Sequence, residues 1–382
     1  LPPDFRATLL RFAPLFFGFL LLTAIGRHHR QPLVSNLFST MPELLTEEDL
    51  RLPEPPEPEP PSRRGLRFTF PTPQTRLRDV EDPAVFMPTA SGRIISAFYG
   101  STRTNSAGGA VFHEGVDIGP MRRDRRNHAL DEIFAIAEGR VAYIQPHHGN
   151  STYGAYIVLM HQEEEFGEFY TLYAHLARIH PDLRVGQRVA KGQEIAIMGH
   201  SSSFHIPPAR AHLHLEIGTM VNQHFQTWYR GKQRTPDHGN YHGHNLTGID
   251  PLPLLLLLEP DQDVRFSVLN ALLETPVAWR KVVHSPGLPD YFRRHPALWS
   301  GGPFSGGAIV LSFSEGGVIL HGRPASAEEA AGVTAARPRV LDWDPAVLGR
   351  NGRRLIRTRG STAEITPSGM EFLEIVLFRA GR

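Results

Sequence analysis

The sequence predicts a mainly β protein in which residues 85–258 form a domain of antiparallel sheet. Three observations support this fold class: short runs of β-branched and aromatic residues recur in this region, Gly-containing turns separate them, and few long stretches repeat with a helical period. The strands predicted in this domain are residues 139–144, 156–161, 168–176, 194–198 and 212–217. The middle of the chain should therefore be built around antiparallel strands.

Residues 1–26 have the pattern of an export signal. Arg6 and Arg11 precede an uncharged, largely apolar run at 12–25, and small residues at 24 and 26 suit a cleavage site. The run is short against the roughly 20 residues that span a bilayer. A cleaved signal peptide and a short membrane anchor helix both fit this segment, and a buried helix of the first domain is the alternative.

A proline-rich spacer is predicted between the amino-terminal segment and the β domain. Residues 53–61 read Pro-Glu-Pro-Pro-Glu-Pro-Glu-Pro-Pro, a composition that favours extended polyproline II and cannot bury apolar surface. We assign residues 27–84 to this Pro- and Glu-rich linker. It could hold the β domain away from a membrane or wall, and a disordered tether without that role fits the composition equally well.

Residues 259–382, which follow the β domain, differ from it in sequence pattern. We predict that they form a small C-terminal domain that contains β structure. Ser-Glu-Gly-Gly at 314–317 separates two apolar runs in the manner of a hairpin turn. The strands predicted in this domain are residues 308–313, 318–321 and 371–378. No motif in the domain assigns a function to it.

The charge and the cysteine content narrow the functional classes. Forty basic and 39 acidic residues leave a formal charge of +1, so no global field favours nucleic acid as a partner. The chain has no Cys, which excludes disulfides, thiolate metal sites and a Cys nucleophile. A zinc site in this protein would have to use histidine nitrogen and carboxylate oxygen. The oligomeric state has no signature in the sequence.

Histidine is concentrated in the predicted β domain, where 15 of the 20 His residues lie from His113 to His244. His113 and Asp117 stand in His-Glu-Gly-Val-Asp, and His212 and His214 stand in His-Leu-His. Since a strand alternates its side chains, the second motif places both rings on one face. Metal chemistry should be sought first in this domain.

Taken singly, each motif is a weak signal. Chance alone supplies roughly one His-x-His in a chain with this many histidines, and residues 242–244 are a second example, which Gly-rich, polar surroundings place in a solvated loop. His113, Glu114 and Asp117 could also form a variant of the helical His-Glu-x-x-His metal motif. Residues 115–120 contain two Gly, β-branched residues and a Pro, which disfavour the helix that this alternative requires.

The motifs become a specific signal of a protein family when they occur together and in a fixed order. In sequence the chain carries Phe-His-Glu-Gly-Val-Asp-Ile, Ala-Glu-Gly-Arg-Val, Tyr-Ala-His-Leu, Val-Gly-Gln-Arg-Val-Ala-Lys-Gly-Gln-Glu-Ile-Ala and His-Leu-His-Leu-Glu. Together, over residues 95–252, they resemble the lysostaphin and LytM-type zinc metallopeptidases. The resemblance implies the fold of that family, called the duplicated hybrid motif. It also implies an endopeptidase that hydrolyses amide bonds in peptidoglycan stem peptides or cross-bridges.

The resemblance further assigns roles to five residues. The family binds Zn²⁺ through the residues that fall here on His113, Asp117 and His214. Two further histidines, here His175 and His212, are thought to assist the attacking water and to stabilise the tetrahedral intermediate. Three protein ligands leave a fourth tetrahedral position for water, whose pKa a catalytic zinc lowers to about 7. A histidine at the site can exchange protons with the water or the leaving amine.

Three neighbouring residues have two interpretations each. Tyr173 shares the face of His175 by alternation, and could line the cleft or pack on the sheet. Glu216 could orient the ring of His214 or form a surface ion pair. Glu114 is expected to face solvent or to support the ligands from behind.

Two segments depart from the pattern of the family. The stretch between Gly199 and His212 is longer than the family's short Ser- and Gly-rich loop, and an insertion covers about 222–247. Loops carry specificity more readily than scaffolds do. These departures put the identity of the cleaved bond in doubt and leave the zinc site untouched.

The resemblance places the protein outside the cytoplasm, in the periplasm or cell envelope, either secreted or anchored in the inner membrane. Peptidoglycan is the expected polymeric partner, and membrane anchoring would come from the amino-terminal segment. Two alternatives stay open: a non-catalytic module that binds the wall or regulates a hydrolase, and a zinc peptidase that acts on proteins or, as a secreted weapon, on a rival's wall. The intact residues His113, Asp117 and His214 count against the module.

Overall fold

The structure is a computed structural model that describes residues 65–104, 110–349 and 352–380. These residues belong to one compact unit. The predicted signal or anchor and the greater part of the predicted linker, including its proline-rich stretch, lie outside the described residues. Within the described ranges, no helix is long and apolar enough to cross a bilayer.

The described residues form mainly short strands, with α-helices between them. The strands are β1 (Leu66–Phe68), β2 (Thr102–Thr104), β3 (Ala110–Phe112), β4 (Val116–Ile118), β5 (Glu132–Phe134), β6 (Gly139–Gln145), β7 (Tyr156–Glu163), β8 (Gly167–Ala174), β9 (Leu176–Ile179), β10 (Arg188–Val189), β11 (Glu194–Met198), β12 (Leu213–Met220), β13 (Leu246–Ile249), β14 (Val264–Phe266), β15 (Trp279–Ser285), β16 (Gly307–Phe313), β17 (Ile319–Pro324), β18 (Arg339–Trp343), β19 (Ile356–Arg359) and β20 (Thr362–Ile365). The α-helices are α1 (Phe225–Gly231), α2 (Leu252–Leu257), α3 (Val268–Glu274), α4 (Asp290–Arg294), α5 (Ala327–Ala330), α6 (Pro345–Leu348) and α7 (Pro367–Leu377).

The largest sheet has the strand order β10-β6-β7-β8-β12-β13, and all of its pairs are antiparallel. Strand β12 has β8 along one side, while its other side pairs first with β4 and then with β13. Every residue of β12 is buried. Because side chains of a strand point alternately to the two faces, the sheet must be covered on both faces here.

One apolar cluster forms on a single face of this sheet. It takes every second residue of β7 and β8, as the alternation of a strand requires. The cluster members from these two strands are Tyr156, Val158, Met160, Tyr170, Leu172 and Ala174. Full burial of a Val, Leu or Met side chain contributes about 1.5–3 kcal/mol. This cluster therefore fixes the central strands that carry the candidate site.

The mainly β, antiparallel fold class is confirmed, and the predicted strands of the β domain recur with small shifts at their ends. The strand predicted at 194–198 is β11. The strands predicted at 139–144, 156–161 and 212–217 are β6, β7 and β12, with ends displaced by one to three residues. The strand predicted at 168–176 is divided between β8 and β9.

A four-stranded antiparallel sheet of order β17-β16-β15-β18 forms the centre of the C-terminal part. The predicted hairpin is confirmed, because β16 and β17 flank Ser-Glu-Gly-Gly and pair with Val310 opposite Arg323. The prediction of a strand at 371–378 is wrong. Residues Pro367–Leu377 form helix α7 instead.

Helix α7 has start signals that outweigh the strand propensity of its residues. Thr366 Oγ1 accepts a hydrogen bond from the amide of Gly369 at 3.0 Å, and Pro367 occupies the first helical position. The apolar residues buried by the helix are Phe372, Leu373, Ile375 and Val376. Their spacing of three and four residues fits one face of a helix, and burial of that face decides the structure.

Several contacts join the C-terminal part to the β domain. Glu163 Oε2 accepts a hydrogen bond from the amide of Val268 at 2.9 Å, at the start of α3. Asn222 Nδ2 donates to the carbonyl of Ile375 at 2.7 Å, near the end of α7. Strand β1, which lies in the segment assigned to the linker, pairs with β14. The domain boundary between 258 and 259 stays a prediction.

Candidate metal centre

The side chains that carry the predicted chemistry meet at the start of strand β12. Asp117, in the middle of β4, pairs directly with His214 on β12. His113 follows the last residue of β3, His175 follows β8, and His212 precedes β12. Because β8 and β4 flank this part of β12, the sheet unites residues as far apart in the chain as His113 and His214, which are 101 positions apart.

Three donor atoms form a tight triangle. His113 Nε2 lies 3.1 Å from Asp117 Oδ1 and 3.0 Å from His214 Nδ1, and His214 Nδ1 lies 3.0 Å from Asp117 Oδ1. Ligand atoms about 2.0–2.2 Å from a tetrahedral zinc ion lie roughly 3.3 Å from one another. The separations therefore suit a shared metal ion, and in the described ranges this is the one group of three such side chains close enough to hold it.

In each imidazole of the triangle, the ring nitrogen that faces away from the triangle is hydrogen-bonded to the protein. His113 Nδ1 donates to the carbonyl of Phe98 at 2.8 Å, which leaves Nε2 as the acceptor that faces the triangle. His214 Nε2 donates to Glu216 Oε1 at 2.9 Å, which leaves Nδ1 to face the triangle. Metal-binding histidines are commonly held in this way. Of the two interpretations of Glu216, the structure supports the one in which it orients His214.

Glu216 is fully buried and keeps its charge through three hydrogen bonds. Tyr153 Oη donates to Oε1 at 2.7 Å and Tyr170 Oη donates to Oε2 at 2.8 Å, in addition to the bond from His214. Burial alone would raise the pKa of Glu216, but these hydrogen bonds hold it below its ordinary value. A charged carboxylate behind His214 makes that imidazole a stronger ligand.

The triangle is a position of negative potential. Burial acts to raise the pKa of Asp117, yet the charge of Arg103, whose Nη2 donates to Oδ2 at 2.6 Å, and the neighbouring histidines hold it well below its ordinary value. Burial acts to lower the pKa of His214, yet Asp117 and Glu216 raise it to about 9. The two carboxylates therefore stabilise a cation at this point. Two imidazoles and one carboxylate form a donor set that suits zinc better than calcium or magnesium.

His175 and His212 stand beside the triangle as a pair. Their ring centroids are 4.7 Å apart, and His212 Nε2 lies 3.6 Å from Asp117 Oδ2. His175 Nδ1 donates to the carbonyl of Ser201 and His212 Nδ1 to that of Arg210, both at 2.7 Å. Nε2 is consequently the nitrogen with a lone pair in each ring. Burial lowers the pKa of both rings, so both are neutral near pH 7.

The backbone of His175 is strained. Its φ of 61° lies in the left-handed region, which costs a residue with a Cβ about 1–2 kcal/mol. The amide donates to the carbonyl of Tyr153 at 2.9 Å, so the backbone and the ring are both held. This bend ends β8 at Ala174 and places the imidazole centroid 5.9 Å from that of His214. Strain of this kind clusters at functional sites.

Gly115 lies where any side chain would collide with strand β12. A Cβ at this position would lie 2.3 Å from the carbonyl oxygen of Leu215 and 3.0 Å from Cε1 of His214. We expect Gly115→Ala to displace β12, to lower the free energy of unfolding by about 1–3 kcal/mol and to weaken metal binding, as measured by denaturant unfolding and metal titration. Gly302→Ala is the control, because a Cβ there would meet open space. Equal stability of the two variants would contradict this prediction.

The structure adds two residues to the site that the motifs did not mark. Arg103 contacts Asp117, and Tyr153 contacts Glu216. A single Arg or Tyr outside the metal-binding motifs carries no signal of either contact. The pairing of β2 with β3 sets Arg103 near His113 and so helps to bring the first of them into place.

Tyr173, Glu114 and the second His-x-His motif each have a defined place in the fold. Tyr173 is fully buried and its Oη accepts a hydrogen bond from the amide of Ile136 at 2.9 Å, so it packs on the sheet. Glu114 forms an ion pair with Arg353 at 2.9 Å. The helical alternative for the first motif is wrong, because Asp117 lies in strand β4. His242 caps the 3-10 turn Gly243–Asn245, and both it and His244 lie outside the group of candidate ligands.

The antiparallel fold and the donor set of two histidines and one aspartate fit a metallopeptidase domain. Residues 111–227 match the family model described as peptidase family M23. Comparison with curated proteins gives no match.

Solved structures with similarity to the chain include three peptidases. The catalytic domain of the antimicrobial peptidase lysostaphin from Staphylococcus simulans is 21% identical, with 42% of this chain and 89% of that chain covered and a TM-score of 0.26. A zinc-containing peptidase from Vibrio cholerae is 23% identical, with 35% and 36% covered and a TM-score of 0.24. The catalytic domain of the prophage-encoded M23 protein EnpA from Enterococcus faecalis is 20% identical, with 32% and 80% covered and a TM-score of 0.22. The likeness to the M23 family rests on residues 111–227 and not on these structures.

Proposed function

We propose that the chain is a zinc-dependent endopeptidase that hydrolyses amide bonds in peptidoglycan stem peptides or cross-bridges. The observation that supports this most directly is the triangle of His113, Asp117 and His214, whose donor atoms are 3.0–3.1 Å apart. These three residues would hold the ion. When bound, zinc would polarise the scissile carbonyl and make a water molecule acidic enough to act as a nucleophile near neutral pH.

The other steps fall to side chains around the triangle. His175 and His212 are neutral and present Nε2 lone pairs, so either can accept a proton from the attacking water and return it to the leaving amine. Arg103 holds Oδ2 of Asp117, which leaves Oδ1 directed at the triangle. The left-handed backbone of His175 fixes the position of one of the two bases before substrate arrives.

The substrate class and the location of the protein are proposed from the resemblance of residues 95–252 to wall-cleaving peptidases. Peptidoglycan lies outside the cytoplasm, so we place the protein in the periplasm or cell envelope, with residues 1–26 as a signal or anchor and residues 27–84 as its linker. No role is assigned to residues 259–382. The two segments that depart from the family pattern, 199–212 and 222–247, would determine which peptide bond of the substrate is cleaved.

Digestion of purified sacculi tests the proposal. The full chain loaded with about one zinc per molecule is expected to release new amino groups from sacculi, to lose this activity after chelation and to leave casein intact. Binding to sacculi without new amino groups would point to the non-catalytic module. Cleavage of casein in place of sacculi would point to a peptidase of proteins, and either outcome would overturn the proposal.

A further inference from the structure

Arg210 carries a cation beside the metal centre that the proposed chemistry does not use. It ends the 3-10 turn Pro208–Arg210, two residues before His212, and is half-buried. Its Nε is buried and has no hydrogen-bond partner among the residues that the structure describes. Buried N–H groups are nearly always paired in folded proteins. An unpaired N–H group beside a candidate active site therefore indicates a position where a hydrogen-bond acceptor of the substrate could bind.

Hydrogen bonds hold the backbone around Arg210 in place. The unpaired guanidinium is therefore not the result of a loosely held loop. The carbonyl of Arg210 accepts the Nδ1 hydrogen bond of His212 at 2.7 Å, and its amide donates to the carbonyl of Pro207 at 2.8 Å. Arg123 Nη1 donates to the carbonyl of Pro208, also at 2.8 Å. Replacing the side chain of Arg210 would leave all three of these bonds in place.

The charges around Arg210 leave room for an anion. Burial and the neighbouring cation of Arg103 lower the pKa of Arg210, while Asp117 acts in the opposite direction. Asp117 does not pair with Arg210, because Oδ2 is bonded to Arg103 and Oδ1 belongs to the triangle. The carboxylates of Glu216 and Glu114 are engaged elsewhere, Glu216 by His214 and Glu114 by Arg353. Two guanidinium groups and one carboxylate leave a positive charge on this side of the centre.

We propose that Arg210 forms a subsite for a free carboxylate of the substrate peptide, next to the bond that is cut. A guanidinium binds a carboxylate through two parallel N–H bonds, a geometry that an ammonium group cannot reproduce. The stem peptides of peptidoglycan carry such carboxylates at the α position of γ-linked D-glutamate and at the C terminus. The inference rests on the proposed function, since it names a feature of the peptide that the same site would bind.

The test is a binding measurement by calorimetry on the full chain, both free of metal and loaded with zinc. The probes are the peptide L-alanyl-γ-D-glutamyl-L-lysyl-D-alanine and two variants of it, in which either the glutamyl α-carboxylate or the C-terminal carboxylate is a carboxamide. We expect one of the two amidated peptides to bind about tenfold or more weakly, and that peptide identifies the carboxylate that meets Arg210. In Arg210→Gln, the unmodified peptide should show the same loss and amidation should have no further effect. Arg210→Lys should keep part of the preference.

Arg178→Gln is the matched control, because Arg178 is an exposed arginine on β9. It should bind all three peptides as the wild type does. A purely structural role of Arg210 would not produce a loss confined to one carboxylate. Equal or undetectable binding of the three peptides by the wild type, or a preference that survives in Arg210→Gln, would overturn the inference. Cleavage of sacculi is scored separately, so intact sacculi with a clear carboxylate preference would refute the proposed hydrolysis and leave the subsite standing.

Discussion

His214→Ala is expected to remove zinc binding and to lower hydrolysis of sacculi by at least about a thousandfold. The substitution deletes one of three donors, and a metal that polarises a carbonyl supplies several kcal/mol of transition-state stabilisation, each 1.4 kcal/mol of which is about a tenfold change in rate. It also leaves the buried carboxylates of Asp117 and Glu216 without the ring between them. Metal content by mass spectrometry and release of amino groups are the two measurements.

Two further variants separate the loss of a ligand from a loss of folding. Burial lowers the pKa of His113 to about 4, so that ring is neutral and His113→Ala removes a donor without removing a cation that the buried carboxylates hold. It should lose zinc and activity as His214→Ala does, with native circular dichroism. His244→Ala alters the second His-x-His, at an exposed residue, and should keep both properties. Full activity in His113→Ala and His214→Ala would rule out the assigned ligands.

Lys281→Met is expected to stabilise the protein by about 1–4 kcal/mol at neutral pH. Lys281 lies in β15 with its side chain fully buried, and its Nζ has no hydrogen-bond partner in the described part of the chain. Aromatic rings of Trp279, Phe313 and Phe372 surround Nζ at 4.5–5.9 Å from their centroids. Cation–π contacts offset only part of the cost of removing an amine from water, whereas the Met side chain buries without such a cost.

The effect of Lys281→Met should depend on pH in a defined direction. Burial lowers the pKa of Lys281 well below its ordinary value of 10.5. Between the lowered pKa and 10.5, the unfolded chain binds a proton that the folded chain does not, so the wild type gains stability as the pH rises through this window. The advantage of Lys281→Met should therefore be largest near neutral pH and shrink toward pH 10.5.

Denaturant unfolding at several pH values measures this advantage, with Lys191→Met as the control. Lys191 is exposed and its ion pair with Asp263 is a surface contact, so its replacement should change stability by less than about 0.5 kcal/mol. A Lys281→Met variant that is less stable than the wild type at neutral pH would show that the three rings outweigh the cost of burial.

The sequence predicted the parts of the site that lie within short motifs. His-x-His on a strand is expected to place two rings on one face because the strand period is two. His214 lies on β12, His212 directly precedes it, and both rings lie within 3.6 Å of the Asp117 carboxylate. The direct pairing of Asp117 with His214 depends on the register of β4 against β12, which no local pattern determines. No local pattern marks Arg103 or Arg210 either, since the position of each near Asp117 depends on how distant segments meet.

The one strand predicted wrongly shows how context overrides local propensity. Residues 371–378 contain β-branched and aromatic side chains that favour a strand when counted alone. The cap at Thr366 and the buried face of α7 favour a helix, and the close approach of Gly369 to the carbonyl of Leu355 fixes its position. The signals that start the helix, Thr366 and Pro367, lie upstream of the segment 371–378. The composition of 371–378 alone therefore does not reveal the helix.

The central claim is that His113, Asp117 and His214 share one metal ion. Anomalous diffraction at the zinc absorption edge, from crystals of the full chain grown with zinc, tests it most directly. We predict one strong peak within about 2.0–2.2 Å of His113 Nε2, an Asp117 carboxylate oxygen and His214 Nδ1. A map with no peak among these atoms, or with zinc bound solely at other histidines, would contradict the account.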